Sequence, residues 1–176
     1  MTDKELRYHK AHLKAAYVYA NELSFAKRRK VGAILVNEDN RPLLEGVNGT
    51  PPGEPNECET EEGCVYCRSE GFIEYKDIVR MRFRAEICPE CNGEGTVLIT
   101  NDNVIHAEDN LLRFAHRYGI TTYGMKLYVT LSPCYQCAKL IENSGIAEVY
   151  YHEAYRDLSG VEYLNSIGIP CKQIDF

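Results

Sequence analysis

Two short segments carry the residue types and spacing of a catalytic metal site: His106-Ala107-Glu108, then Pro133-Cys134-Tyr135-Gln136-Cys137. One imidazole and two thiolates around zinc leave a fourth position open for water, whose pKa the metal lowers from about 15.7 towards ~7. Glu108 is close enough to His106 to reach such a water without being a ligand, so it can take a proton and return it. The reaction this set suits is hydrolytic deamination.

These side chains need helix starts to hold them. Cys134 and Cys137 stand at i and i+3, on one helical face, and Pro133 suits a first turn, where its missing N–H costs nothing. Unpaired N–H groups and the positive end of the macrodipole there favour thiolate over thiol. His106 likewise opens a helix expected to run to about Tyr118. Taken alone, the CxxC pair also reads as a redox pair or two buried small side chains, and the histidine as an ordinary surface or core residue. Together, each half opening a helix, they match the H-x-E and P-C-x-x-C pattern of zinc nucleobase deaminases.

The chain has 176 residues, 44% of them hydrophobic, which fits a single domain with a core of its own. It is charged from the first residues, and no stretch approaches the ~20 apolar residues of a membrane span, so a cytoplasmic enzyme is expected. A net charge of -6 and a pI of about 5.4 argue against a broad phosphate-binding surface for long nucleic acids. Eight cysteines without a leader peptide point to metal ligation before disulfides.

Thr2-Asp-Lys-Glu5 has the capping-box pattern, and Leu6, Leu13, Tyr17, Ala20 and Leu23 follow at helical spacing, predicting a first helix to about Ser24. His9 and His12, among lysines and arginines, are expected on its surface. Val31 to Val36, the turn Asn37 to Asn40, and Leu43 to Val47 read as a β-hairpin. Further on come helix 106 to 118, strand Lys126 to Thr130, helix Cys134 to Ser144 and strand Ala147 to Tyr151. Ser159 is expected to cap a last helix through Ile167, ahead of a short strand from Cys171 to Ile174, with Gly119 and Gly145 ending the helices before them. The order αββ, insertion, αβαβαβ implies an α/β fold with a central sheet and helices on both faces. No internal repeat is evident.

Residues 58 to 95 interrupt this alternation with Cys64-Val-Tyr-Cys67 and Cys88-Pro-Glu-Cys91, followed by Asn92-Gly-Glu-Gly95. Two CxxC pairs at this separation fit a four-thiolate zinc site, and glycine after a knuckle lets backbone amides approach the sulfurs. Four thiolates leave no open coordination position, so this zinc would serve structure, substituting for a core that so short an insertion cannot build. A reduced, metal-free loop is the alternative. Cys58 is a possible substitute for one ligand; Cys171 is expected in the core.

The flanking segments carry a resemblance. Ser24-Phe-Ala-Lys-Arg28-Arg-Lys-Val31-Gly-Ala, Asn48-Gly-Thr-Pro51-Pro-Gly53, Asn56-Glu-Cys58-Glu59, Leu127-Tyr-Val-Thr-Leu131 and Gly145-Ile-Ala-Glu-Val-Tyr-Tyr151, with the two zinc segments, resemble deoxycytidylate (dCMP) deaminases, especially the bacteriophage type. The resemblance covers most of the chain outside residues 60 to 100. It implies one domain over residues 1–176, a cytidine-deaminase-like three-layer α/β/α sandwich with a central five-stranded mixed sheet, and conversion of dCMP and water to dUMP and ammonia for thymidylate synthesis.

By the same resemblance, Asn48 lies near the sugar, Arg28 takes the 5′-phosphate, Glu59 the 3′-hydroxyl, the Ala107 amide O2 of the base, and Tyr155 lines the pocket. Arg28 also reads as one solvated charge within Lys27 to Lys30, and Glu59 as an exposed loop carboxylate. Position 26 holds alanine where family members often have cysteine. The resemblance further implies a homohexamer activated by dCTP with Mg2+ and inhibited by dTTP. The glycine-rich loop with Gly49 and Gly53 would contribute to this regulation, or serve turn geometry alone, and Lys27, Arg29 and Lys30 nearby would add charge for phosphates. Phe114 and Arg117, three residues apart on the helix after Glu108, can face one side and are candidates for a subunit interface, with core packing for Phe114 and solvation for Arg117 as equal alternatives. Rival readings are a deaminase acting also on dCTP, a tRNA or nucleic-acid base deaminase on the same fold, and a zinc-dependent binding module without turnover.

Overall fold

A computed structural model describes residues 1–77 and 82–176; positions 78–81 of the insertion lie outside the described residues. The chain divides into two compact units, Met1–Asn56 with Asn103–Phe176, and Glu57–Asp102.

In the first unit, α1 (Asp3–Leu23) starts on the expected capping box, with Thr2 and Glu5 each accepting the other's backbone N–H. Two strands follow, β1 (Gly32–Val36), buried along its whole length, and β2 (Pro42–Val47). After the second unit come α2 (Ala107–Tyr118), strand Lys126–Leu131, α3 (Tyr135–Asn143), strand Glu148–Glu153, α4 (Ser159–Ser166) and strand Cys171–Gln173. Counted in chain order after the second unit's four strands, the last three strands are β7, β8 and β9. The sheet order is β2-β1-β7-β8-β9. β1 is antiparallel to β2 and to β7, whereas β8 is parallel to both β7 and β9, because α3 and α4 carry the chain back between them.

The alternation of side chains along each strand divides the core in two. Ala33, Leu35, Leu127, Val129, Val149 and Tyr151 face Ala107 and Leu111 of α2, Ala138 and Ile141 of α3, and Val161 and Leu164 of α4. Ile34, Val36, Tyr128 and Tyr150 face Leu13 and Ala16 of α1. The element order implied the central sheet with helices on both faces, and the family resemblance its form as a three-layer sandwich with a five-stranded mixed sheet.

His9 and His12 depart from the sequence reading. Both are buried, 6% and 8% exposed, on the face of α1 that meets the sheet. His9 falls in the stripe of Leu6, Leu13 and Ala16, a register that neighbouring lysines and arginines obscure. Its Nδ1 lies 2.9 Å from the Tyr128 hydroxyl and its ring centroid 4.0 Å from that of Tyr150. At the start of α4 the cap differs as well: Leu158 holds the cap position and Asp157 Oδ1 accepts the Ser159 N–H at 2.9 Å. Among the described residues, no helix is long and apolar enough to cross a membrane.

The second unit contains four strands that the sequence did not announce. β3 (Glu59–Gly63) pairs with β6 (Thr96–Thr100), and β4 (Phe72–Asp77) with β5 (Arg82–Ile87). The unit continues past residue 95 because β6 closes on β3. It also holds an internal repeat that the linear reading missed: Cys64-x-x-Cys67-x-x-Glu-Gly71 recurs as Cys88-x-x-Cys91-x-x-Glu-Gly95. The two copies bond reciprocally, the Cys64 N–H to the Gly95 carbonyl at 2.8 Å and the Cys88 N–H to the Gly71 carbonyl at 2.9 Å.

Candidate active site and metal centres

Both ligand-bearing segments sit at helix starts, as their spacing required. His106 caps α2 with extended backbone, φ -70° and ψ 156°, and Cys134 caps α3 in the same way, φ -72° and ψ 168°. Cys137 lies in the first turn of α3, one step beyond the end of β7, at the carboxyl edge of the parallel strands where α/β sheets place their ligands. α2 is pinned to the hairpin. Gly49 and Ile105 exchange backbone bonds of 3.1 and 2.8 Å just ahead of His106, and Asn110 Nδ2 donates to the Val47 carbonyl at 2.9 Å.

His106 Nδ1 stands 3.6 Å from Cys134 Sγ and 3.3 Å from Cys137 Sγ. A tetrahedral zinc with Zn–N near 2.0–2.1 Å and Zn–S near 2.3 Å would set nitrogen and sulfur about 3.6 Å apart, so the donor set fits that ion. The Cys137 thiol hydrogen-bonds Cys134 and, with His106, holds the Cys134 thiol down to about 4, while the Cys137 thiol is held above the ordinary range. Glu108 is 4% exposed, and burial pushes its carboxyl up to about 7. A carboxyl in that range accepts and returns a proton near neutral pH at little cost.

The residues assigned to substrate are distributed as follows. Ala107 is fully buried at the first position of α2. Arg28 and Lys27 are exposed on the loop after α1. Asn48 turns its amide towards that loop: Oδ1 accepts from Ser24 Oγ and the Val31 N–H, both at 2.8 Å, and Nδ2 donates to the Arg29 carbonyl at 2.9 Å. Arg29 lies 3.8 Å from the Glu153 carboxylate, and Lys30 Nζ donates to the Asn21 carbonyl at 2.8 Å. The Tyr155 N–H donates to Ser132 Oγ at 2.8 Å, tying the loop after β8 to the residue before Pro133. Ser132, buried, is a supporting residue the sequence reading missed, although its place ahead of Pro133-Cys134 was a usable signal. Gly53 adopts φ +93°, a left-handed turn. The Arg117 guanidinium lies over the Phe114 ring at 5.4 Å, so these two share a face of α2. Glu59 belongs to the second unit, as the first residue of β3.

In the second unit, Cys64, Cys67, Cys88 and Cys91 bring their sulfurs together, with Cys64 and Cys88 3.8 Å apart and Cys67 and Cys91 3.6 Å apart. Four thiolates on a tetrahedral zinc would be separated by about 3.8 Å. Each knuckle offers an amide to its second sulfur, Gly71 N–H to Cys67 at 3.3 Å and Gly95 N–H to Cys91 at 3.2 Å, as expected of the glycines, which let the backbone approach and stabilise negative charge on the sulfurs. Cys58 is buried but outside this group, and Cys171 is buried in the sheet core.

The family model of the cytidine and deoxycytidylate deaminase zinc-binding region matches residues 4–153. The deoxycytidylate deaminases of Enterobacteria phages T4 and T2 are 34% and 36% identical to the chain over 157 residues, 81% of this chain and 76% and 78% of theirs. The crystal structure of a dCMP deaminase from cyanophage S-TIM5, in complex with dCMP and dUMP, superimposes with a TM-score of 0.70 at 29% identity, over 98% of this chain and 99% of that one. The matched segment includes both halves of the ligand set and the strands that carry them, and the chain belongs to the cytidine and deoxycytidylate deaminase family.

Proposed function

We propose that the chain is a zinc-dependent dCMP deaminase that turns dCMP and water into dUMP and ammonia. The observation that carries this reading is the buried Glu108 carboxyl beside the His106, Cys134 and Cys137 group, in a chain whose phage relatives are deoxycytidylate deaminases. Zinc held by those three residues would supply a water of lowered pKa as nucleophile at C4 of cytosine. Glu108 would move the two protons of the attacking water, one to N3 and the second to the departing amine, so that ammonia leaves and the oxygen stays on C4. The Ala107 N–H, at a helix start, is suited to O2 of the base. Arg28 is assigned to the 5′-phosphate, whose geometry a guanidinium fork matches, with Asn48 and Glu59 assigned to the sugar and Tyr155 to the pocket wall.

The four-cysteine group of the second unit is assigned a structural zinc. Regulation by dCTP with Mg2+ and by dTTP through the loop of Gly49 and Gly53, and a hexameric assembly, rest on the family resemblance; Lys27 and Arg29 are assigned to effector phosphates by their charge, and Phe114 and Arg117 to a subunit interface by the α2 face they share.

The test is a deamination assay on dCMP, dCTP, deoxycytidine and a tRNA anticodon stem, with and without dCTP and dTTP as effectors. Turnover of dCMP is expected, and Glu108→Gln should lower it by at least ~10²-fold while zinc stays bound. Activity on the polymer alone overturns the substrate assignment. A Glu108→Gln variant with undiminished turnover removes the proton shuttle.

A further inference from the structure

Two glycines stand where the ligand-bearing backbones meet the rest of the first unit. Gly160, in the first turn of α4, lies against the Pro133-Cys134 segment: a Cβ there would sit 2.2 Å from the Pro133 carbonyl oxygen and 2.7 Å from both the carbonyl carbon and oxygen of Cys134. Gly46, in β2, lies against the first turn of α2: a Cβ there would sit 2.5 Å from the Ala107 carbonyl oxygen and 2.8 Å from the Leu111 nitrogen. Neither glycine has the left-handed backbone that would account for its identity. Inside a helix, glycine is about 1 kcal/mol less favourable than alanine, and inside a strand it weakens packing. The close approach of backbone to backbone is what these positions have in common.

We propose that Gly46 and Gly160 are positioning residues for the catalytic metal centre, each seating one half of the ligand set. Gly46 lets β2 hold the α2 start with His106 and Glu108, and Gly160 lets α4 hold the Pro133-Cys134 segment that opens α3 and so sets Cys134 and Cys137. A methyl group at either place forces the backbone to move by several tenths of an ångström or more, whereas metal–ligand distances tolerate about ±0.2 Å. The proposal rests on the reading above only in taking His106, Cys134 and Cys137 as metal ligands.

Gly32 supplies a matched control. Its Cβ would lie 2.2 Å from the Ala16 carbonyl oxygen, an equal overlap, yet it seats α1, which carries none of the three ligands.

The experiment compares Gly46→Ala, Gly160→Ala and Gly32→Ala with the unaltered chain by thermal unfolding and by Co2+ titration, the ligand-field absorption separating the two-thiolate site from the four-thiolate one. All three variants should lose thermal stability. Only Gly46→Ala and Gly160→Ala should weaken metal binding at the two-thiolate site, by ~10- to 100-fold, the scale of losses at groups that orient ligands, and shift its absorption. If either fails to fold, the titration is repeated in the cold with sucrose, which favours the compact state. Failure of both variants there, or folded variants with unaltered affinity and absorption, would make the glycines general packing positions and overturn the proposal. An unaltered chain that binds no metal at the two-thiolate site would instead overturn the ligand assignment beneath it.

Discussion

At the scale of single residues, the fold keeps its titratable groups where their protonation has consequences. Glu108 is raised by burial beside the ligand set, and His9 and His12 are lowered by burial under α1. His9 shares its hydrogen with Tyr128, but the Nε2 of His12 is buried without a partner. Lys126, Glu148 and Glu5 surround His9, and Lys126 also faces His12, adding to the cost of a proton there. An unpaired buried nitrogen costs about 1–3 kcal/mol, so His12→Leu should stabilise the chain by about 1 kcal/mol in denaturant unfolding at neutral pH. The histidines are depressed in the folded chain, so the unfolded chain takes up protons first as pH falls below about 6.5. The contribution of these two histidines to stability should therefore be level above that pH and decline below it, while Glu108, raised by burial, contributes in the opposite sense; His12→Leu should flatten the acid limb relative to the unaltered chain. An unchanged acid limb would show that His12 does not titrate on unfolding.

At the scale of elements, the site is held by loops tied back onto strands. Asn48 joins the end of β2 to the loop after α1 through Ser24, Val31 and Arg29, and that loop carries Lys27 and Arg28. Asn48→Ala takes the acceptor from the Val31 N–H, at about 1–3 kcal/mol for a group left unpaired in the interior, while the Ser24 hydroxyl keeps the Asn48 backbone carbonyl at 3.0 Å. We expect a stability loss of about 2 kcal/mol and a rise in KM for dCMP that exceeds the fall in kcat, because the loop bearing Arg28 loosens while His106 and Glu108 stay in place. A fall in kcat alone would place Asn48 with the reacting atoms instead.

At the scale of the whole molecule, the two units are stabilised differently. The first has buried side chains on both faces of a five-stranded sheet, whereas among the described residues the hydrophobic cluster of the second is the four cysteines with Ile73 and Val97 packed against them. If the four cysteines hold the proposed zinc, a unit with so little apolar burial would draw much of its folding free energy from that metal. The intact chain is expected to carry two zincs, and Cys88→Ser one. In that variant the second unit should become sensitive to proteolysis between Glu57 and Asp102, while the thermal transition of the first persists. Loss of both metals in Cys88→Ser would show that the first unit depends on the second.

The sequence alone picked out the His106, Cys134 and Cys137 group that the fold brings together, and the order of elements around it. Each ligand segment is local and lies at a helix start, and caps and hydrophobic periods are short-range signals that survive without a fold. The cysteine pairs of the insertion were legible for the same reason. Tertiary structure decided what depends on partners distant in the chain. The burial of His9 and His12 followed from which stripe of α1 met the sheet. The strands of the second unit were hidden because a thiolate cluster takes the place of the apolar pattern that would have revealed them. Asn48 gave no sign of bracing a loop, since its partners are set by how the hairpin packs. Gly46 and Gly160 read as ordinary glycines until two backbones were found in contact there, because close approach is a property of three-dimensional packing and leaves only the absence of a side chain in the sequence.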